Sequence, residues 1–142
     1  MLMEINITLN NQCNFNAPFP IVNWVQDVCN HLDLCIEHIE VTLLKRHDIQ
    51  KMNSQYFKND VGTDTITFNL DSHENIIGDI YLCPEVIQNN SDTWGTSLEK
   101  EFKLVIIHSI LHLIGYTDDS VHTNEIMEKK QTKIYNELIK IK

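Results

Sequence analysis

His108-Ser-Ile-Leu-His112-Leu-Ile-Gly115-Tyr-Thr-Asp118 sets two imidazoles four residues apart, then a glycine, then a carboxylate six residues past the second histidine. Residues four apart lie on one face of an α-helix, so the spacing predicts a helix that presents both rings to one point. Gly115 ends that helix and lets the chain turn back, bringing Asp118 round as a third ligand. Helix, turn and third ligand in this order match the zincin plan. Three protein ligands leave a coordination position for water, the mark of a catalytic rather than a structural zinc. The competing reading makes His108 and His112 ordinary residues of a half-buried helix face, with Asp118 capping the next helix. Asp119 sits one residue out of register for the same role.

Working outward, the helix carrying the pair is expected over residues 97–113, with Thr96 and Glu99 as a capping box ahead of it. It is apolar on several sides, at Phe102, Leu104, Val105, Ile106, Ile107, Ile110 and Leu111, which predicts a central, buried helix and hence a rigid mount for ligands. Upstream, residues 4–9 alternate polar and apolar like a half-buried strand, and after Pro18 and Pro20 residues 21–34 take helical periodicity. A second strand is read at 39–44, a short helix at 48–57 with Asp48 as its cap, and a β-branched third strand at 63–68. A polar loop at 69–75 leads to a fourth strand at 76–82, closed by Pro84, so these last two strands should pair antiparallel. Residues 89–95 hold turn formers, and 124–141 read as a polar helix whose inner stripe is Ile126, Met127, Ile134, Leu138 and Ile139. The expected class is α+β: a small mixed four-stranded sheet with helices packed over it and a zincin-like metal helix.

A chain of 142 residues buries enough surface for one core and shows no linker or repeat, so residues 1–142 are read as a single metal-dependent hydrolase domain. Hydrophobic and charged fractions of 42% and 22% exclude a disordered chain. No apolar run is long enough to cross a bilayer, and the amino terminus lacks the basic start and apolar core of a signal peptide, so the expectation is a cytoplasmic protein with no membrane partner. Cys13, Cys29, Cys35 and Cys83 form no C-x-x-C pair and are read as reduced, packed thiols. The net charge of −9 argues against unspecific attachment to nucleic acid, DNA included, although Lys45, Arg46, Lys51 and Lys58 can make a local basic surface.

Three pieces carry a family resemblance: Met52-Asn-Ser-Gln-Tyr56 leading to Thr63-Asp-Thr-Ile-Thr-Phe68, the Gly78-Asp-Ile80 strand, and His108-x3-His112-x2-Gly115-Tyr116. In order and spacing the chain resembles the YbeY family of metal-dependent endoribonucleases and ribosomal RNA maturation factors. The resemblance implies one Zn2+ per chain, or another transition metal such as Ni2+, on His108, His112 and Asp118. It implies a single-stranded ribosomal RNA substrate and the small ribosomal subunit as partner. Two positions depart from the family pattern. Asp118 stands where a third histidine is usual, which keeps a competent ligand set but adds a negative charge. Phe57 stands where many members carry an arginine regarded as important for cleavage; Phe57 can stack on a base, and Lys58 and Arg46 are the nearest cationic substitutes for substrate binding.

The reaction expected is hydrolysis of a phosphodiester, with Asp64, Asp79 and Asp119 as candidate bases or orienting carboxylates. Two alternatives stand beside it. One is a ribosome assembly factor with a structural metal and little catalysis. The other is a zinc hydrolase of another class, such as a metalloprotease; against it, Ser109 occupies the position where the zincin signature places its glutamate base.

Overall fold

The computed structural model describes residues 6–34, 36–57, 63–70 and 76–140. Four strands, β1 (Asn6–Asn11), β2 (Ile36–Leu43), β3 (Thr65–Asn69) and β4 (Ile76–Leu82), form one sheet in the order β1-β2-β4-β3. β1 and β4 run parallel to β2, while β3 pairs antiparallel with β4, Thr67 opposite Ile80. The mixed sheet and the antiparallel β3–β4 pair are therefore as read from the sequence. β3 ends in Asn69 rather than in a loop, and the rest of that loop, from 71 to 75, lies outside the described residues.

Five helices complete the chain: α1 (Ile21–His31), α2 (Arg46–Phe57), α3 (Pro84–Trp94), α4 (Leu98–Leu113) and α5 (Val121–Ile139). α3 corrects the expectation that Pro84 only closes the fourth strand and that residues 89–95 hold turn formers. Proline is well suited to the first turn of a helix, where its missing N–H has no intrahelical partner to lose, and Gly95 closes α3 in the left-handed conformation at φ 70°. Helix caps also moved. Asp48 lies within the first turn of α2, which begins at Arg46. The Thr96–Glu99 box does not form; Ser97 caps α4 by accepting from the Lys100 amide, and Thr96 Oγ1 donates to Glu101 Oε2. α5 starts earlier than expected, at Val121, on a reciprocal Ser120–Thr123 capping box. The cap is thus Ser120, not Asp118, which removes the structural role that the competing reading gave that aspartate.

Side chains alternate across the strands. Ile39, Val41 and Leu43 of β2 and Ile80 and Leu82 of β4 point into a core shared with Val25 and Val28 of α1, Phe102, Ile106, Ile107 and Ile110 of α4, and Met127 and Ile134 of α5. A second cluster, Leu44, Ile49, Ile66 and Cys83, anchors α2 beside β3. α4 is central, as its all-round apolar pattern predicts. Its C-terminal end approaches the sheet at Gly78 of β4, where an added Cβ would lie 2.8 Å from Leu113 Cδ1. The glycine lets the last turn of α4, which carries His112, sit against the strands. On the far side Thr65 Oγ1 and Ser109 Oγ are 2.8 Å apart and Asn69 Nδ2 donates to the Leu113 carbonyl, so β3 is tied to α4 at two points.

Candidate metal centre

α4 fixes two of the three candidate ligands and the turn after it delivers the third. Gly115 adopts φ 104°, a conformation L side chains rarely take, while the Tyr116 amide donates back to the Leu111 carbonyl. The reversal brings Asp118 over the histidine face. His108 Nε2 lies 3.1 Å from His112 Nε2, and Asp118 Oδ2 lies 3.4 Å and 3.7 Å from them respectively. Among the described residues this is the one group of three or more His, Cys, Asp or Glu side chains whose ligand atoms converge within 4.8 Å.

The other ring nitrogens set the tautomers. The Tyr116 carbonyl, 3.1 Å from His112 Nδ1, can only accept, so that Nδ1 carries the proton and donates. His108 Nδ1 donates to Gln131 Oε1 at 3.0 Å, reaching across to α5. Both Nε2 atoms are left as bare lone pairs aimed at each other and at a carboxylate oxygen, an arrangement that repels itself unless a cation lies between. Donors on a tetrahedral zinc with bonds of about 2.0–2.1 Å sit about 3.3 Å apart. The three observed separations bracket that value, so the donor set fits one such ion. Partners of this kind, which orient ligand rings, typically contribute about 10–100-fold to metal affinity. Gln131→Ala is expected to weaken zinc binding by about that factor, read by competition with a chromogenic chelator, without unfolding the protein.

Burial, and secondarily His108, push the His112 imidazole below its ordinary value of 6.5. A lowered value means that the unfolded chain takes up a proton before the folded one does. Stability contributed by neutral His112 is therefore present above about pH 6.5 and is lost as pH falls through the lowered value. Metal-free protein should show a falling urea midpoint over that acid range, a fall that His112→Gln makes shallower.

The cluster opens into a cleft of about 380 Å³ lined by Asn53 of α2, by residues 63–67 before and along β3, and by His108, His112 and Asp118. Of the three carboxylates considered as bases, Asp64 alone lines it. Burial raises the Asp64 carboxyl above the usual carboxylate range, against the opposing pull of His108 and of bonds from the Asp64 and Thr65 amides and the Thr63 hydroxyl. Asp119 accepts from the Thr117 and Thr123 hydroxyls and belongs to the turn. Asp79 sits on the sheet beside Glu40 and His38, away from the cleft lining, where burial and Glu40 raise its carboxyl.

The cationic candidates fare differently. Arg46 Nε is 3.1 Å from Glu85 Oε2 at the start of α3, and Arg46 does not line the cleft. Phe57 closes α2, and Lys58 lies outside the described residues. Asn53, Thr63, Thr65 and Thr67 line the cleft although the residue reading gave them no role, and Gln131 carried no signal at all. Alternation along residues 63–67 marks a strand but not which edge it shows, and Gln131 is 23 positions from the ring it orients.

A helix-borne pair of imidazoles and a carboxylate at the mouth of a cleft define a metal-dependent hydrolase. The model of the family described as Endoribonuclease YbeY matches residues 7–139. Relatives agree: an Endoribonuclease YbeY of Christiangramia forsetii is 30% identical over 128 residues, covering 90% of each chain. One of Thermotoga neapolitana is 37% identical over 102 residues, 68% of this chain and 67% of that one. The solution structure of TM1509 from Thermotoga maritima superposes with a TM-score of 0.57 at 26% identity, covering 96% of this chain and 93% of that one. The chain belongs to the YbeY family of endoribonucleases, hydrolytic nucleases that depend on a metal. No helix among the described residues is long and apolar enough to cross a membrane.

Proposed function

We propose that the chain cleaves single-stranded ribosomal RNA in the cytoplasm, in the maturation of the small ribosomal subunit, with one Zn2+ held by His108, His112 and Asp118. The convergence of two bare Nε2 atoms and one carboxylate oxygen at the cleft mouth carries this reading. Two nitrogens and an oxygen suit zinc and also accept nickel. When bound, such an ion polarises a phosphoryl oxygen and makes water a nucleophile near neutral pH. The chain's own residues do the rest. Gln131 and the Tyr116 carbonyl hold the rings in the ligating tautomer. Asp64, with its raised affinity for a proton and its place in the same cleft, accepts the proton that water gives up during attack and returns it to the leaving oxygen. Asn53 and the threonines at 63, 65 and 67 offer neutral donors and acceptors for substrate. Protein purified without chelators or an affinity tag should carry one equivalent of zinc or nickel and cut unstructured RNA in preference to duplex. A full equivalent of metal with no cutting would favour the assembly-factor reading instead.

A further inference from the structure

Asp64, Thr65, Ile66 and Thr67 line the cleft in succession. Successive side chains of a strand point to opposite faces, so consecutive residues line one cleft only where it runs along the strand's edge. β3 is the last strand in the sheet order and offers such an edge. Alternate residues of an antiparallel pair exchange both backbone bonds with their partners, and those between turn theirs outward. The Asp64 carbonyl accepts from the Cys83 amide and the Leu70 amide donates to the Ile77 carbonyl, so Ile66 and Phe68 face β4 while Thr65 and Thr67 face the cleft. Thr65 is satisfied locally, its carbonyl by the Thr63 hydroxyl and its amide by the Asp64 carboxylate. The Thr67 amide and carbonyl have no partner among the described residues. Nor is any described lining residue a lysine or arginine, and the whole chain carries a net charge of −9.

We propose that the outer edge of β3 is the seat of the substrate strand, with the Thr67 N–H and C=O bonding the base or ribose edge of an unpaired nucleotide next to the metal cluster. The assignment rests on the nuclease reading of the same cleft and adds how substrate is gripped: by uncharged hydrogen bonds rather than by ion pairs to phosphate. It also gives single-strand preference a cause. Bases in a duplex already use their hydrogen-bonding edges on each other, whereas an extended strand can lay them along a β edge.

Thr67→Pro tests this, because it deletes the outward N–H while leaving the ladder to β4 intact, proline being tolerated at edge positions. Thr67→Ala keeps the N–H and removes only the hydroxyl. With a short unstructured oligoribonucleotide, Thr67→Pro should raise KM about three- to tenfold, the worth of one hydrogen bond, with metal content unchanged and kcat little altered. Thr67→Ala, which leaves the N–H in place, should raise KM by less than Thr67→Pro does. Affinity of the metal-loaded parent should vary with salt by a log–log slope shallower than about −1, since each neutralised phosphate of a single strand would add about −0.7. Should Thr67→Pro fold poorly, the parent decides. Its Thr67 amide resonance should move on adding a phosphorothioate-linked oligouridine and stay still on adding a duplex of the same length. An unmoved amide, an unchanged KM in a fully metal-loaded Thr67→Pro, or a slope as steep as about −3 overturns the edge assignment. Parent protein that holds its metal yet neither binds nor cuts any RNA overturns the nuclease reading beneath it.

Discussion

His112→Ala should lose its equivalent of metal and at least about 10³-fold in kcat/KM, while still folding. The size follows from what the ion contributes: several kcal/mol of transition-state charge stabilisation, at about 1.4 kcal/mol per tenfold in rate. Folding survives because His112 sits at the solvent edge of the last turn of α4, with a quarter of its side chain exposed and no role in the core cluster. The measurement is zinc by elemental analysis alongside cleavage of an unstructured RNA, with circular dichroism as the folding control. Asp118→Ala supplies a graded comparison, because two imidazoles remain and added zinc should restore part of the activity. Full cleavage by a metal-free His112→Ala would sink the proposed chemistry.

The candidate metal cluster is legible in the sequence because its three side chains are local. His108 and His112 share a helix face by period alone, Gly115 marks the reversal, and Asp118 needs no partner from elsewhere in the chain to come within reach. The sheet class was legible too, since alternation along 63–68 and 76–82 with one loop between them all but dictates an antiparallel pair. α3 was not. Its apolar residues are few, its C-terminal half is rich in asparagine, serine and aspartate, and its proline reads as a stop unless it is placed at the first helical turn, where the same ring is favourable. What lay furthest from view were the contacts that convert ligands into a site. Gln131 on α5 orients His108, and Gly78 on β4 lets the end of α4 approach. Both depend on how elements pack rather than on any spacing along the chain.

Ser109→Glu, which would restore the glutamate of the zincin signature, should instead unfold the protein by more than about 4 kcal/mol. Ser109 is wholly buried, and its side chain points away from the ligand atoms, donating to the Val105 carbonyl at 2.8 Å while its oxygen faces Thr65 Oγ1 at 2.8 Å. A glutamate at that position must push one further methylene and a carboxylate group into a filled space, at about 1–3 kcal/mol, and take that carboxylate out of water at several kcal/mol more. Against a total stability of about 5–15 kcal/mol for a typical native protein, little of the folded state would remain. Ser109→Ala is the milder control. It removes one of the two links to β3 and costs about 1 kcal/mol, leaving metal content intact. Urea midpoints for the three proteins measure the difference. The physical point concerns reaction class: the residue after His108 supports the strand that lines the cleft and does not face the ligand cluster. A Ser109→Glu protein that folds with the parent's midpoint and hydrolyses peptides would show that the position does face the ion, and would reopen the metalloprotease reading.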